Sequence, residues 1–190
     1  MNYYKLCFDY NNKKKYICCD DGEFWGMSEF DPLMGKSLRE SWITPTLFYD
    51  SNELNFFSDN LFNVYNWFVV SDRFAQFLHE LSNDSFELLD VNIVDRASGL
   101  TNKNYKVVNI IKILDAINLD YSDYDTIEYN GEKLLFIKKF SLNEEKIHGA
   151  NIFKVKTGRM PIEIFVSEIV KNFIKKNKIT GFDFAKVMTI

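Results

Sequence analysis

The chain has 190 residues, 46% of them hydrophobic and 26% charged, with a formal net charge of −4. That composition excludes a disordered or collagen-like chain and suffices for one packed domain over 1–190. The acidic balance argues against a general nucleic-acid binder, and no apolar run reaches the roughly 20 residues that a membrane helix needs.

Residues 3–10 and 15–19 are aromatic, β-prone runs separated by the polar stretch Asn11–Lys14, which reads as a β-hairpin. The N-terminal stretch Met1–Lys5, continuing as Leu6–Tyr10, is too polar and short for a signal-peptide h-region, so export through a cleaved signal is not expected. The three cysteines, Cys7, Cys18 and Cys19, are an odd number, which points to a reduced, cytosolic protein. Adjacent Cys18 and Cys19 face opposite sides of a strand, and Cys7 could meet one of them across the hairpin. Their simplest role is as small buried hydrophobes. Residues 20–66 are rich in aromatics and acids and are broken at Asp31-Pro32, Gly35 and Thr44-Pro45, so short strands and ordered loops are expected. Phe24, Trp25, Phe30, Trp42, Phe48, Phe56, Phe57 and Phe62 would each bury on the order of 150–250 Å², so this aromatic-rich N-terminal β part (1–66) should pack against the rest.

Trp67–Val70 reads as a strand, Ser71 as a helix N-cap and Asp72 as a first-turn acid. Phe74, Phe77, Leu78 and Leu81 form one helical stripe, Asn83-Asp84-Ser85 ends it, and Phe86, Leu88 and Val91 begin another strand. Near the C-terminus the pattern returns: strand Ile164–Val166, cap Ser167, acid Glu168, stripe Ile169, Val170, Phe173 and Ile174, turn Thr180-Gly181, then a strand from Phe182. A shift of 96 residues lays Val70 on Val166, Ser71 on Ser167, Phe77 on Phe173, Phe86 on Phe182 and Val91 on Val187. Either a real repeat or convergence on a common grammar explains the match. Between the units, Tyr105–Ile117 favours one long strand, with or without a bulge; Leu134–Ile137 and Ile152–Val155 read as strands, and Asn143–Lys146 as a turn or short helix. The fold class is therefore α+β: mostly antiparallel sheet with two main amphipathic helices from a repeated strand–helix–strand unit, the two units occupying 67–190.

Charge is uneven: −4 over 1–66, −6 over 67–137 and +6 over 138–190. No basic residue lies between Lys112 and Lys133, a window holding Asp115, Asp120, Asp123, Asp125, Glu128 and Glu132 with Tyr121, Tyr124 and Tyr129. It suits a solvated loop or a protein-binding patch, since acids speed encounter with a cationic partner and tyrosines give rigid contact area. The partner-binding candidates are Asp115, Asp120, Tyr121, Asp123, Tyr124, Asp125, Glu128 and Tyr129. Calcium through Asp120, Asp123 and Asp125 is a weaker option, because no Asp-x-Asp-x-Asp-Gly loop is present. Lys171, Lys175, Lys176 and Lys178 read as a solvated helix face, not a nucleic-acid site.

The usual catalytic signatures are missing: Gly-x-Ser-x-Gly, a P-loop and Gly-x-Gly-x-x-Gly are all absent, as are a His pair or Cys-x-x-Cys for zinc. His79 reads as a boundary residue. His148, beside Gly149, is the best candidate for an unfamiliar small-ligand or enzymatic site.

Five segments together resemble a family of bacterial immunity proteins from polymorphic toxin systems. They are Gly35–Leu38 with Trp42 and Pro45; Phe68–Phe74; Ile113–Ser122; Ile147–Phe153; and Ile164–Glu168 leading to Thr180–Phe184. The resemblance implies a one-domain α+β protein without cofactor, metal or catalytic residue, which binds a cognate toxin domain. It makes stoichiometric occlusion of the toxin, in the cytoplasm, the expected function.

Overall fold

The computed structural model describes the chain except residues 52–54, 82–83, 130–131 and 158–159 and the side chains at 129 and 132–134. In chain order the first half holds β1 (Tyr3–Phe8), β2 (Cys18–Cys19), β3 (Asp21–Glu23), β4 (Thr46–Tyr49), β5 (Asn60–Asn63), β6 (Val69–Ser71), α1 (Asp72–Leu81), β7 (Phe86–Asp90), β8 (Asn92–Asp95) and β9 (Thr101–Asn102). There follow β10 (Tyr105–Ile110), β11 (Ile113–Leu114), β12 (Asp123–Tyr129), β13 (Glu132–Lys139), β14 (Ser141–Leu142), α2 (Glu144–Ile147), β15 (Ile152–Val155), β16 (Ile164–Ser167), α3 (Glu168–Lys176) and β17 (Phe182–Thr189). The fold is mixed α and β with more sheet than helix.

Two large sheets carry the frame, ordered β2-β5-β6-β10-β7 and β11-β15-β16-β1-β17-β14; β3-β4-β8-β9 forms a third, and β12 pairs only with β13. The sheets are mixed: β2 with β5, β4 with β8, β11 with β15 and β14 with β17 run parallel, while β6 and β16 are flanked by antiparallel neighbours. Ser71 lies opposite Tyr105 in one sheet, and Ser167 opposite Tyr3 in the other. Phe86 pairs with Ile110, and Phe182 with Phe8.

Strand alternation distributes the core, because successive side chains leave a strand on opposite faces. Val70 and Val166 point into a central cluster with Phe74 and Leu78 of α1 and Val170 and Ile174 of α3. Val69 joins a second cluster with Trp67, Leu47 and Ile93; Phe165 joins a third with Tyr3, Phe153, Leu142 and Ile147. Both helices thus lie in a core shared by the two large sheets. The rings of Phe77 and Phe173 stack between them, centroids 3.4 Å apart at 4°.

Several local expectations are corrected. The N-terminal hairpin does not form: β1 is buried on both faces between β16 and β17, while β2 joins β5. A 3-10 turn over Tyr10–Lys15, capped by Asp9, carries the chain from one sheet to the other, so Cys7 does not meet Cys18 or Cys19, and all three thiols are free. Tyr105–Ile117 is not one strand, because β10 ends at Ile110 and β11 enters the other sheet. Of the expected aromatic core, Trp25 is 67% exposed, and Phe30 and Phe56 are also exposed. Ile169 is exposed too, leaving Val170 and Ile174 as the buried edge of α3 and Phe173 half-buried against the core. Neither serine caps its helix through its hydroxyl: Ser71 Oγ donates to Asp59 Oδ1 (2.6 Å) and Ser167 Oγ to Asn151 Oδ1 (2.8 Å). Asn83, expected to end the first helix, lies outside the described residues.

Candidate functional site

The acidic window begins where β11 leaves its sheet. Asp115 is exposed, Ala116 and Ile117 turn back into the core, and a 3-10 turn over Leu119–Tyr121 lifts the chain outward. The base of the projection is pinned: Ser122 Oγ donates to Asn118 O (2.6 Å), Ser141 N donates to Ser122 Oγ (3.0 Å), and Asn118 N donates to Ser141 O (2.8 Å). Beyond that base β12 and β13 form a two-stranded hairpin with no third strand beside it.

Register sorts its side chains. Tyr124, Thr126 and Glu128 share a face with Leu135 and Ile137, and Asp125 and Ile127 share the other with Phe136. Ile137 packs against the core cluster with Leu114 and Ile117, which seats the hairpin on the body. Ile127 and Phe136 are exposed, at 55% and 61%, on the opposite face. Two strands alone are marginal in water, and exposed apolar side chains on such a projection are groups a partner would cover.

Asp115, Asp120, Tyr121, Asp123, Tyr124, Asp125 and Glu128 are all exposed, on the 3-10 turn, on β12 or just before them; Tyr129 belongs to β12, and its side chain lies outside the described residues. The charge differs from the linear reading. Antiparallel pairing sets Lys139 opposite Asp123, and Lys138 reaches Asp125 at 2.8 Å. The hydrogen bond and charge of Asp125 push the Lys138 ammonium up. The same register sets Glu128 opposite Lys133, whereas no ion pair of Asp115 or Asp120 occurs among the described residues. The apolar pair Ile127 and Phe136 was missed in the sequence, though Phe136 sits in the continuous apolar run Leu134–Ile137, one face of which a free hairpin would leave exposed.

Elsewhere the described residues gather no chemical centre. No cluster of three or more His, Cys, Asp or Glu side chains that could hold a metal ion occurs among them, and Asp120, Asp123 and Asp125 are strung along a turn and a strand. His148 is an exposed, left-handed residue (φ 51°) ending α2. A groove of about 280 Å³ between β1 and the β5–β6 connection, bordered by Lys5, Cys7, Asn60, Trp67 and Ile164, does not include it, nor does a cavity of about 680 Å³ at Ser37, Arg39 and Glu87. Burial pushes the Cys19 thiol up to about 12, far from a reactive thiolate.

The hairpin thus presents exposed acids, tyrosines and apolar side chains on one projection. The model of the Imm11 immunity protein family matches residues 13–189, nearly the whole chain. The chain belongs to the Imm11 immunity protein family. The match begins after β1 and includes the hairpin, both large helices and β17. No match was found among curated proteins. For an Imm11 protein the natural partner class is a toxin, and no helix here is long and apolar enough to cross a membrane among the described residues.

Proposed function

We propose that this Imm11 protein neutralises a cognate toxin domain in the cytoplasm by stoichiometric occlusion, without cofactor and without turning over a substrate. The observation that carries the reading is the free hairpin. It offers Asp115, Asp120, Tyr121, Asp123, Tyr124, Asp125, Glu128 and Tyr129 to a partner, with Ile127 and Phe136 as apolar anchors. Toxins that act on nucleic acids or nucleotides need cationic clefts, and an acidic, tyrosine-bearing projection is a matched plug. Coexistence with a lethal domain demands tight binding; nanomolar affinity corresponds to about −12 kcal/mol, within reach of a standard interface of roughly 1,600 Å² with a few anchors. The small-ligand reading around His148 needs an enclosing cavity, and neither the groove beside β1 nor the cavity at Glu87 includes that residue.

We also infer that the frame is a duplicated unit whose second copy is completed by the first strand of the chain. The 96-residue shift that aligns the two helices also carries the pairing register: Ser71–Tyr105 onto Ser167–Tyr3, and Phe86–Ile110 onto Phe182–Phe8. A shift of 95 carries the contact Gly22–Leu47 onto Ile117–Leu142 and Cys18 onto Ile113, while their parallel partners Phe62 and Lys154 are 92 apart. On this reading the chain is one domain, divided near residue 110 rather than at 66.

The test of the function is co-expression with the C-terminal domain of the secreted protein encoded beside this gene. Growth is restored by the intact protein and lost with Asp120→Lys/Asp123→Lys/Asp125→Lys. The triple variant is expected to associate at least about tenfold more slowly, with a flatter salt dependence. Unchanged association kinetics overturn the hairpin assignment.

A further inference from the structure

A second acidic stretch lies in the N-terminal part of the chain. From Tyr16 to Gly35 there is no basic residue, while Asp20, Asp21, Glu23, Glu29 and Asp31 are interleaved with Phe24, Trp25 and Phe30. The fold brings one cation to this stretch. Arg96 reaches Asp20 at 2.8 Å, Asp21 at 3.5 Å and Asp50 at 3.0 Å, so one guanidinium faces three carboxylates and a surplus of negative charge remains. Burial, and then the charges of Asp21, Glu29 and Asp20, push the Tyr65 phenol up, which sets those carboxylates around one ring.

Trp25 stands among these acids and is 67% exposed, whereas Trp67 is wholly buried. It occupies a turn closed by Met27 N donating to Phe24 O (3.4 Å), with Gly26 in the left-handed region (φ 74°) that favours glycine. The turn is anchored from behind. The Phe24 ring meets Tyr65 and Trp67 at 4.8 and 4.9 Å, and the Trp67 indole donates to Glu29 O at 2.7 Å. Ile43 is exposed and adjacent: a Cβ at position 26 would lie 3.5 Å from its Cδ1. An apolar pair is therefore held outward on a pinned loop, where docking would order little chain and lose little entropy. Within the duplicated frame, residues 24–45 lie between the contacts Gly22–Leu47 and Ile117–Leu142 in the same place as residues 119–140, the segment carrying the hairpin.

We propose that Trp25 and Ile43, rimmed by Asp20, Asp21, Glu23 and Glu29, form a second docking surface for the toxin, taking a cationic protein face with an apolar recess for the indole. The inference rests on the toxin-neutralising reading. Charge selects the occupant: a two-fold contact of this surface with its own copy would set carboxylates against carboxylates, a repulsive contact, whereas a basic toxin cleft is complementary. Tryptophan is among the residues most often found as interface anchors, and an exposed one on a pinned loop is free to be buried by a partner.

The experiment measures binding of the purified C-terminal domain of the neighbouring secreted protein to the full chain by surface plasmon resonance. The variants are Trp25→Ala/Ile43→Ser, Glu23→Lys/Glu29→Lys and the hairpin triple variant. Trp25→Ala/Ile43→Ser is expected to weaken binding at least about 30-fold, mainly through faster dissociation, with an unchanged melting temperature. Glu23→Lys/Glu29→Lys is expected to slow association about tenfold at low salt and little at high salt. If the wild type binds and both 23–43 variants match it, this second surface is refuted while the toxin reading stands. If only they lose binding, the hairpin assignment falls instead. If the wild type does not bind at all, both fall. A wild-type dimer by sedimentation that Trp25→Ala converts to monomer would make the surface a self-contact and overturn the proposal.

Discussion

At the start of α1, Ser71 donates to a carboxylate, Asp59; at the start of α3, Ser167 donates to an amide, Asn151. The backbone repeats the likeness, with Ser71 N donating to Asp59 O (2.8 Å) and Ser167 N to Asn151 O (2.9 Å). The two acceptors then diverge. The side-chain oxygen of Asn151 accepts from its serine, whereas Asp59 also accepts from Arg73 through Nε and Nη2 and from the Thr180 amide and hydroxyl, at 2.8 and 2.9 Å. Thr180 leads into β17 of the other sheet. Gly181 there approaches so closely that a Cβ would lie 2.6 Å from Asn60 O, and its φ of 83° excludes most side chains anyway. One entry fixes a helix locally; the other has become a charged cross-link between the two sheets.

The largest effect expected from that difference is on stability. Asp59→Ala strands the Ser71 hydroxyl and the Thr180 amide, and is expected to cost about 3 kcal/mol, against about 1 kcal/mol for Asn151→Ala, measured by urea denaturation. Burial pushes the Asp59 carboxyl up, but the bonds from Arg73, Ser71 and Thr180 outweigh it and hold it at about 2, below the usual 3.8. Its contribution is therefore present above about pH 4 and lost as pH falls through 2. Between those values the wild type should lose roughly 2 kcal/mol that Asp59→Ala, already without the carboxyl, does not lose. Parallel acid titrations of wild type and variant would contradict the cross-link.

Phe77 and Phe173 test likeness instead of difference, because each occupies the same place on its helix and each is the other's partner. Phe77→Ala and Phe173→Ala are each expected to cost about 2 kcal/mol, and the double variant less than the sum by about 1 kcal/mol, since either change already removes the stack. Unequal single costs with full additivity would mean that the rings pack independently and that the seam is not symmetric.

What the sequence disclosed follows the same division. The helices were legible because 3.6-residue stripes such as Phe74, Phe77, Leu78 and Leu81 are local, and the strands at 86–90, 152–155 and 164–167 because short apolar, β-prone runs are local too. The pairing of β1 with β16 and β17 was not, since a strand buried on both faces reads like half of a hairpin whenever another β-prone run lies nearby. At the candidate site the acids and tyrosines of the hairpin were legible as a basic-free window. The lysines that face Asp123 and Asp125 were not, because they arrive from the opposite strand. Trp25 was misread as core for a related reason: aromatic content says how much must be buried, and it is Phe24 and Trp67 beside it that fill the space.

The smallest effect concerns a place where the two sheets part in polarity. In the pairing of β2 with β5, Cys18 faces Phe62; in that of β11 with β15, Ile113 faces Lys154. Lys154 is 3% exposed, and its ammonium donates to Leu33 O at 3.1 Å and Pro32 O at 3.5 Å, tying β15 to the loop that follows Trp25 and Phe30. Burial pulls it down to about 8 from 10.5. The unfolded chain therefore binds this proton more readily between those values, and stability should rise as pH climbs from about 8 to 10.5. Lys154→Met keeps the volume, removes the charging penalty and gives up two hydrogen bonds. It is expected to gain about 1 kcal/mol at pH 7 and to lose that advantage above pH 10. A variant less stable than wild type at both pH values would mean that the carbonyl bonds outweigh the burial of charge, and that the polar substitution in this sheet is what holds the aromatic loop in place.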